Sequence, residues 1–423
     1  MGKHSKSKPD ENEEQNIEFN KNFGKKENIS FVWIICPIGI FVVLFSLISV
    51  VFPRLIISLV DTNLFGETFE IGVIGIPLII VNIIIFSLIL LGIKQRLPKS
   101  FTNAIQKILS FDLSKRNSFV ILIVILSVYV AITANELSIY ELNQYGDFLV
   151  LEKAVKMWPE QESDNKYLAE QLDRHVRMAL LVASEEVFHN IKVIPYLASI
   201  FLLITTYFLT IKLSEKNFTG LIAVMFILQS STFYVYDTIA VYENFWVLFY
   251  IFSIYLIFKK PKFSSIFFIL SIFSKAIFVL WLPISILVTL LSDIPKNKKI
   301  FVITTHIVAI IISVIIFQYS DAVYGNVINI EVSEFWIGFT TLASNLRFDI
   351  LLLLLLLPVS VGLFLKARNG SKNSISLIVL ISGTILVTPV LEMITDYYFV
   401  YPYRYVPLVV FFAIGLSTLF SKK

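Results

Sequence analysis

Residues 263–292 read FSSIFFILSIFSKAIFVLWLPISILVTLLS. A bilayer core of about 30 Å takes about 20 apolar residues as a helix, so this run fits either one steeply tilted span or two short ones. The flanks decide between them. Lys259, Lys260 and Lys262 precede the run, and Lys296, Lys298 and Lys299 follow it. Short basic loops stay in the cytoplasm, so both ends lie on that side and the run turns back, with Ser274 and Lys275 near its outer apex.

The rest of the chain has the same character. Of 423 residues, 57% are hydrophobic and only 16% charged, with a mean hydropathy of +0.79. A soluble domain has about 45–50% apolar and about 25% charged residues, so this is an all-α polytopic membrane protein. Other apolar runs begin near Phe31, Ile71, Ser118, Ile191, Thr219, Tyr242, Phe301, Asp349, Ser374 and Arg404. With the hairpin they make about twelve spans and place both termini in the cytoplasm. The other basic loops agree: Lys94 to Arg116, Lys212 to Lys216, Lys366 to Lys372 and the terminal SKK. The net charge of +4 is distributed among these short loops, which excludes nucleic acid as the partner. The partners expected are membrane lipids and a substrate met at the membrane.

Cys36 is the single cysteine, so neither an internal disulfide nor a thiolate metal site is available. Residues 1–30 are too charged for a signal peptide and are expected to form a disordered cytoplasmic tail; Lys6 breaks the myristoylation pattern. On the same side, SFTNAIQKILSFDL sets Phe101, Ile105, Ile108 and Leu109 on one face of an interfacial helix. Two outer segments are long. Glu136 to Asn190 is acidic, and its pieces DFLVLEKAVKMW and KYLAEQLDRHVRMALLVASEEVF have helical apolar spacing. Tyr319 to Phe348 is placed to cover a cavity from outside.

No Gly-rich phosphate loop, His-Glu-x-x-His, Gly-x-Ser-x-Gly or Asp-x-Asp occurs. Chemistry must therefore rest on isolated polar groups, and these collect on the outer side: Glu141, Asp147, His175, Asp237, Glu243, Lys275, Arg347, Glu392, Asp396 and Arg404. A charge inside hydrocarbon costs about 2.5–3.5 kcal/mol even on insertion scales, so each needs water or a partner. Asp237 and Glu243 either end their helices in water or face a site. Asp147 is either the N-cap of FLVLEKAV or a reactive carboxylate. Lys275, below the outer surface if the hairpin arms are short, is neutralised by a carboxylate, by snorkelling or by a bound anion. Arg404, between Tyr403 and Tyr405, is an aromatic-belt anchor or a ligand contact.

The order of these features resembles the GT-C superfamily of membrane glycosyltransferases, in the branch that includes protein mannosyltransferases and lipid A aminoarabinose transferases. The resemblance is carried by the span from Ser118, the outer loop with YGDF, and SEEVFHNIKVIPYLASIFLLITTYFLTIKL. The turn SEKN follows, then FTGLIAVMFILQSSTFYVYDTIAVYENFWVLFYIFSIYLIF, FSSIFFILSIFSKAIFVLWLPI and YRYVPLVVFFAIGL. It covers 118–292 best, with outer loop 136–190 inside it. Residues 31–117 then add two spans and the interfacial helix, and 293–423 complete the membrane domain. Departures are RHVRMAL where the family often has a His-Pro-Pro turn, and Lys192 where it often has arginine.

The resemblance implies inverting transfer of a sugar from a polyprenyl-phosphate donor to a protein, lipid or glycan acceptor at the outer face. It implies Asp147 as general base, with Glu141 its rival. Asp237 or Glu243 supplies the second acidic position, and Lys275 and Arg404 the phosphate contacts, joined by His175, Arg177 and Tyr405. No cofactor is expected; the missing Asp-x-Asp points to a metal-independent reaction, and a divalent ion on isolated carboxylates is the alternative. Two rival readings are a secondary transporter or flippase for a lipid-linked or small polar substrate, and a catalytically inactive scaffold. Transporters place ionisable groups near the midplane, whereas the charges here gather at one face.

Overall fold

The computed structural model describes residues 29–58, 67–158, 168, 172, 174–318, 330–395 and 401–421. Residues 1–28 of the expected tail, 159–167 of the outer amphipathic segment, 319–329, Asp396 and the last two lysines lie outside these ranges. The described residues contain helices and no strands. In chain order they begin with α1 (Ile29–Val51), α2 (Pro53–Ile57), α3 (Gly75–Ile93), α4 (Lys99–Ser110), α5 (Lys115–Thr133), α6 (Phe148–Met157) and α7 (His175–Phe188). The middle comprises α8 (Val193–Ser214), α9 (Asn217–Leu228), α10 (Ser231–Tyr236), α11 (Phe245–Lys259), α12 (Ser264–Ser274), α13 (Leu282–Leu291) and α14 (Lys296–Gln318). The last are α15 (Val332–Leu346), α16 (Ile350–Arg368), α17 (Lys372–Ile394) and α18 (Val406–Thr418).

Seven of these, α1, α3, α5, α8, α14, α16 and α17, are long and apolar enough to cross a membrane. Apolar α9, α11, α12 and α13 are shorter. Burial separates centre from periphery: the hydrophobic window of α17 is 78% buried and that of α3 only 17%. An apolar helix with most of its surface uncovered is stable only in lipid, so α3 and its like form the lipid-facing rim. Around α17 pack α1, α13, α15, α16 and α18.

The run at 263–292 doubles back. Helix α12 stops at Lys275, whose backbone is extended (φ −158°, ψ 107°), and a 3-10 segment, Ala276–Trp281, leads into α13. Lys275 lies 5.1 Å from the ring of Trp246 at the start of α11. Further down α13, the Ser285 hydroxyl donates to the Tyr250 hydroxyl at 3.1 Å. At its far end Asp293 pairs with Lys372 at 2.5 Å. The two limbs share α14 as a neighbour, and α12 packs also on α11 while α13 packs on α17.

The basic loops meet at one end of the bundle. Asn373 donates to the Leu213 carbonyl at 2.8 Å, Lys366 to the Thr418 and Ser421 carbonyls at 2.8 Å each, and Lys216 to the Phe420 carbonyl at 3.2 Å. Cations on the last carbonyls of helices satisfy acceptors that have no partner within the helix. Helix α4 lies here too, with none of its residues buried; Phe101, Ile105 and Ile108 are exposed.

At the opposite end α15 packs closely on α17. A Cβ on Gly338 would stand 2.5 Å from the Cα of Pro389, a backbone atom that cannot step aside. Gly338→Ala is expected to destabilise the protein by about 1–3 kcal/mol, read as a lower thermal midpoint in detergent. An unchanged midpoint would rule out this contact.

Candidate functional site

The end away from the basic loops is organised by residues 237–244, DTIAVYEN. Helix α10 begins at the Ser230 cap, whose hydroxyl accepts from the Phe233 amide at 3.1 Å, and the chain leaves it at Asp237. Backbone here is buried without a helix to satisfy it, so side chains must. Glu141, 1% exposed, accepts from the amides of Ala240 at 2.6 Å and Val241 at 3.1 Å. Arg177, 2% exposed, donates to Glu243 at 2.9 Å and to the carbonyls of Val241 at 2.8 Å and Ala240 at 3.3 Å. Asn244 donates to Ser199, and Ser199 in turn to the Asp237 carbonyl at 2.7 Å. Glu141, Arg177 and Glu243 are thereby committed to holding this loop. Burial raises the Glu141 carboxyl, and the two amides, Lys192 and Arg177 act against that rise.

Asp237 is equally buried and accepts from the Tyr129 hydroxyl at 2.5 Å. Burial pushes it up to about 7, opposed by the Tyr129 bond and reinforced by Glu136. With the unfolded value near 3.8, the native state binds the extra proton between the two, so stability falls as pH rises from about 4 to about 7. Asp237→Asn is expected to flatten that slope in thermal unfolding followed across pH. A slope identical to wild type would refute the assignment.

Asp147 differs from these three. It occupies the N-cap position of α6 but makes no capping bond, and it is solvent-exposed. The one described hydrogen bond of its side chain is from the Tyr242 hydroxyl, at 3.1 Å. The Tyr242 ring stacks on Tyr403 with centroids 4.5 Å apart and planes at 20°, and Tyr145, Tyr236 and Tyr401 pack around the pair.

Two cations also meet Tyr403. Lys275 donates to the Tyr403 hydroxyl at 2.8 Å, and Arg404 Nε donates to the same oxygen at 3.3 Å. Burial alone would raise the phenol, but Lys275 and Arg404 bring it down to about 7. Lys275 is lowered to about 8 by burial, with Arg404 and Arg174 adding and Tyr403 and Glu243 opposing. Among the described residues Lys275 has no carboxylate partner within salt-bridge distance. The break after α12 therefore presents an ammonium beside two aromatic rings, a phenol oxygen and the cations Arg404 and Arg174, and the carboxylate that acts on it, Glu243, is paired with Arg177. Such a group is suited to hold an anion.

The remaining candidates separate. His175, at the start of α7, stacks on Phe273 near the hairpin apex (6.4 Å, 28°). Tyr405 turns inward, its hydroxyl 3.1 Å from that of Thr388 in α17. Arg347 is exposed, and Glu392 is buried with the Thr341 hydroxyl at 3.2 Å. Sequence reasoning passed over Tyr242 and Tyr403, although both adjoin charged residues it had singled out, Glu243 and Arg404. Among the described residues no three His, Cys, Asp or Glu side chains converge on a metal position. Compared with family models, curated proteins and solved structures, the chain has no match.

Proposed function

We propose that the protein is a GT-C-like integral membrane glycosyltransferase of about twelve spans. It moves a sugar from a polyprenyl-phosphate donor to an acceptor hydroxyl at the outer face of the cell membrane, with both termini in the cytoplasm. One observation carries the reading: an exposed carboxylate, Asp147, is joined through the stacked pair Tyr242 and Tyr403 to Lys275 and Arg404. Transfer from a lipid phosphate asks for this combination of groups. A carboxylate accepts the proton of the attacking hydroxyl, and cations stabilise the charge that develops on the departing phosphate.

In this mechanism Asp147 is the base. Lys275 and Arg404 take the phosphate, and Tyr403 fixes the two cations relative to each other. Tyr242 orients the Asp147 carboxylate, while Glu141, Arg177 and Glu243 hold the loop that carries Tyr242. The acceptor is a protein, lipid or glycan hydroxyl. The test is transfer of radiolabelled sugar from a panel of polyprenyl-phosphate sugars in membranes containing the protein. Transfer above that of membranes lacking it is expected with at least one donor; equality across the panel would sink the proposal.

A further inference from the structure

The basic end of the bundle carries a second feature, unrelated to the outer cluster. A cleft of about 620 Å³ opens between α5, α8 and α11. Each of the three helices brings a lysine to it, with an aromatic ring four residues away: Lys115 with Phe119, Lys212 with Phe208, and Lys259 with Tyr255. Residues four apart share a helix face, at a separation of about 6 Å along the axis. Every ring lies on the membrane-core side of its lysine, because Lys115 opens α5 while Lys212 and Lys259 close α8 and α11. The cleft thus has a tier of three ammonium groups at its mouth and an aromatic tier one turn deeper.

No acidic residue lines it. Lys259 donates to the Tyr255 hydroxyl at 2.7 Å. Lys115 and Lys212 are exposed and stand in none of the ion pairs found among the described residues. Oδ1 of the nearby Asp112 accepts from the amides of Asn217 and Phe218 at 3.0 Å each. Phe119 and Phe208 remain substantially exposed, which in a span end means exposed to lipid.

We propose that this cleft binds an anionic glycerophospholipid, with its phosphate among Lys115, Lys212 and Lys259 and its first methylenes along Phe119, Phe208 and Tyr255. The lysine tier alone would suit any anion; the aromatic tier beneath it suits a ligand that is charged at one end and apolar at the other. Basic pockets between spans commonly take acidic headgroups, each lysine adding to the affinity.

Native mass spectrometry of the detergent-solubilised protein, titrated with dioleoylphosphatidylglycerol or dioleoylphosphatidylcholine, tests this. The wild type is expected to retain phosphatidylglycerol preferentially. The K115Q/K212Q/K259Q variant should lose affinity for it by on the order of 10- to 100-fold, while K296Q/K298Q/K299Q, with equal charge removed at the same end, should keep it. Thermal midpoints of both variants establish that they fold. Equal loss in both variants would reduce the effect to diffuse charge. Equal binding of the two lipids, or displacement of phosphatidylglycerol by millimolar inorganic phosphate, would also overturn the proposal.

Discussion

Replacement of Arg177 by methionine is expected to destabilise the protein by about 3–5 kcal/mol, the usual cost of leaving one partner of a buried ion pair alone. Arg177 and Glu243 are 2.9 Å apart with side chains only 2% and 5% exposed. Removing the guanidinium strands a carboxylate and also the carbonyls of Ala240 and Val241. Glu243→Gln should cost less, because the amide oxygen still accepts from Arg177. The double variant R177M/E243M should recover part of the loss, since an apolar pair of similar volume has no stranded charge. Thermal unfolding in detergent of the wild type, the two methionine single variants and the double variant gives the coupling. If R177M melts with the wild type, the pair does not hold the loop. Activity measured per folded protein should fall as well, because the same loop carries Tyr242.

The sequence made the architecture legible through two physical signals. Span length and lysine position located the turn at Lys275, and the structure has that turn there, because a polar backbone break is tolerated only where the run leaves or is shielded from lipid. The basic loops meeting at one end, seen in Lys366, Lys216 and Asn373, follow from the same charge bias. Lengths were less legible. Helix α18 covers only Val406–Thr418 and α11 only Phe245–Lys259, both shorter than the about 20 residues expected of a span, and neither is among the seven helices long and apolar enough to cross a membrane.

The charges away from the basic loops could be placed at one end by the same rules, but their division of labour could not. Glu141 and Asp147 stand six positions apart in similar surroundings; that one clamps two amides and the other faces solvent depends on where the distant loop 237–244 passes. Tyr403 was hidden for a different reason. A tyrosine beside an arginine at a span end is what any aromatic belt contains, and only the approach of Lys275 from the break after α12 distinguishes it. Residues such as these acquire their meaning from contacts between segments 95 to 128 positions apart, which periodicity and local charge do not encode.

That division of labour leads to the second large effect. Asp147→Asn should lower the rate of sugar transfer by about 10²- to 10⁴-fold, the range expected when a general base is removed, and should leave the thermal midpoint unchanged. The two halves of this expectation come from separate observations. The rate falls because the amide cannot take the acceptor's proton, although it can still accept from Tyr242. The midpoint stays because Asp147 is exposed and does not cap α6, so no helix or core contact is lost. Glu141→Gln provides the contrast, since Glu141 accepts from two buried amides: its midpoint should drop and its activity per folded molecule should exceed that of Asp147→Asn. Tyr242→Phe should sit between, losing the orienting hydroxyl while keeping the stack on Tyr403. Full activity in Asp147→Asn, with transfer by the wild type established, would remove Asp147 as the base and leave the donor-binding cations as a separate question. A reversed order, with Glu141→Gln folded and inactive and Asp147→Asn active, would move the base to Glu141, and the amides of Ala240 and Val241 would then have to release it during turnover.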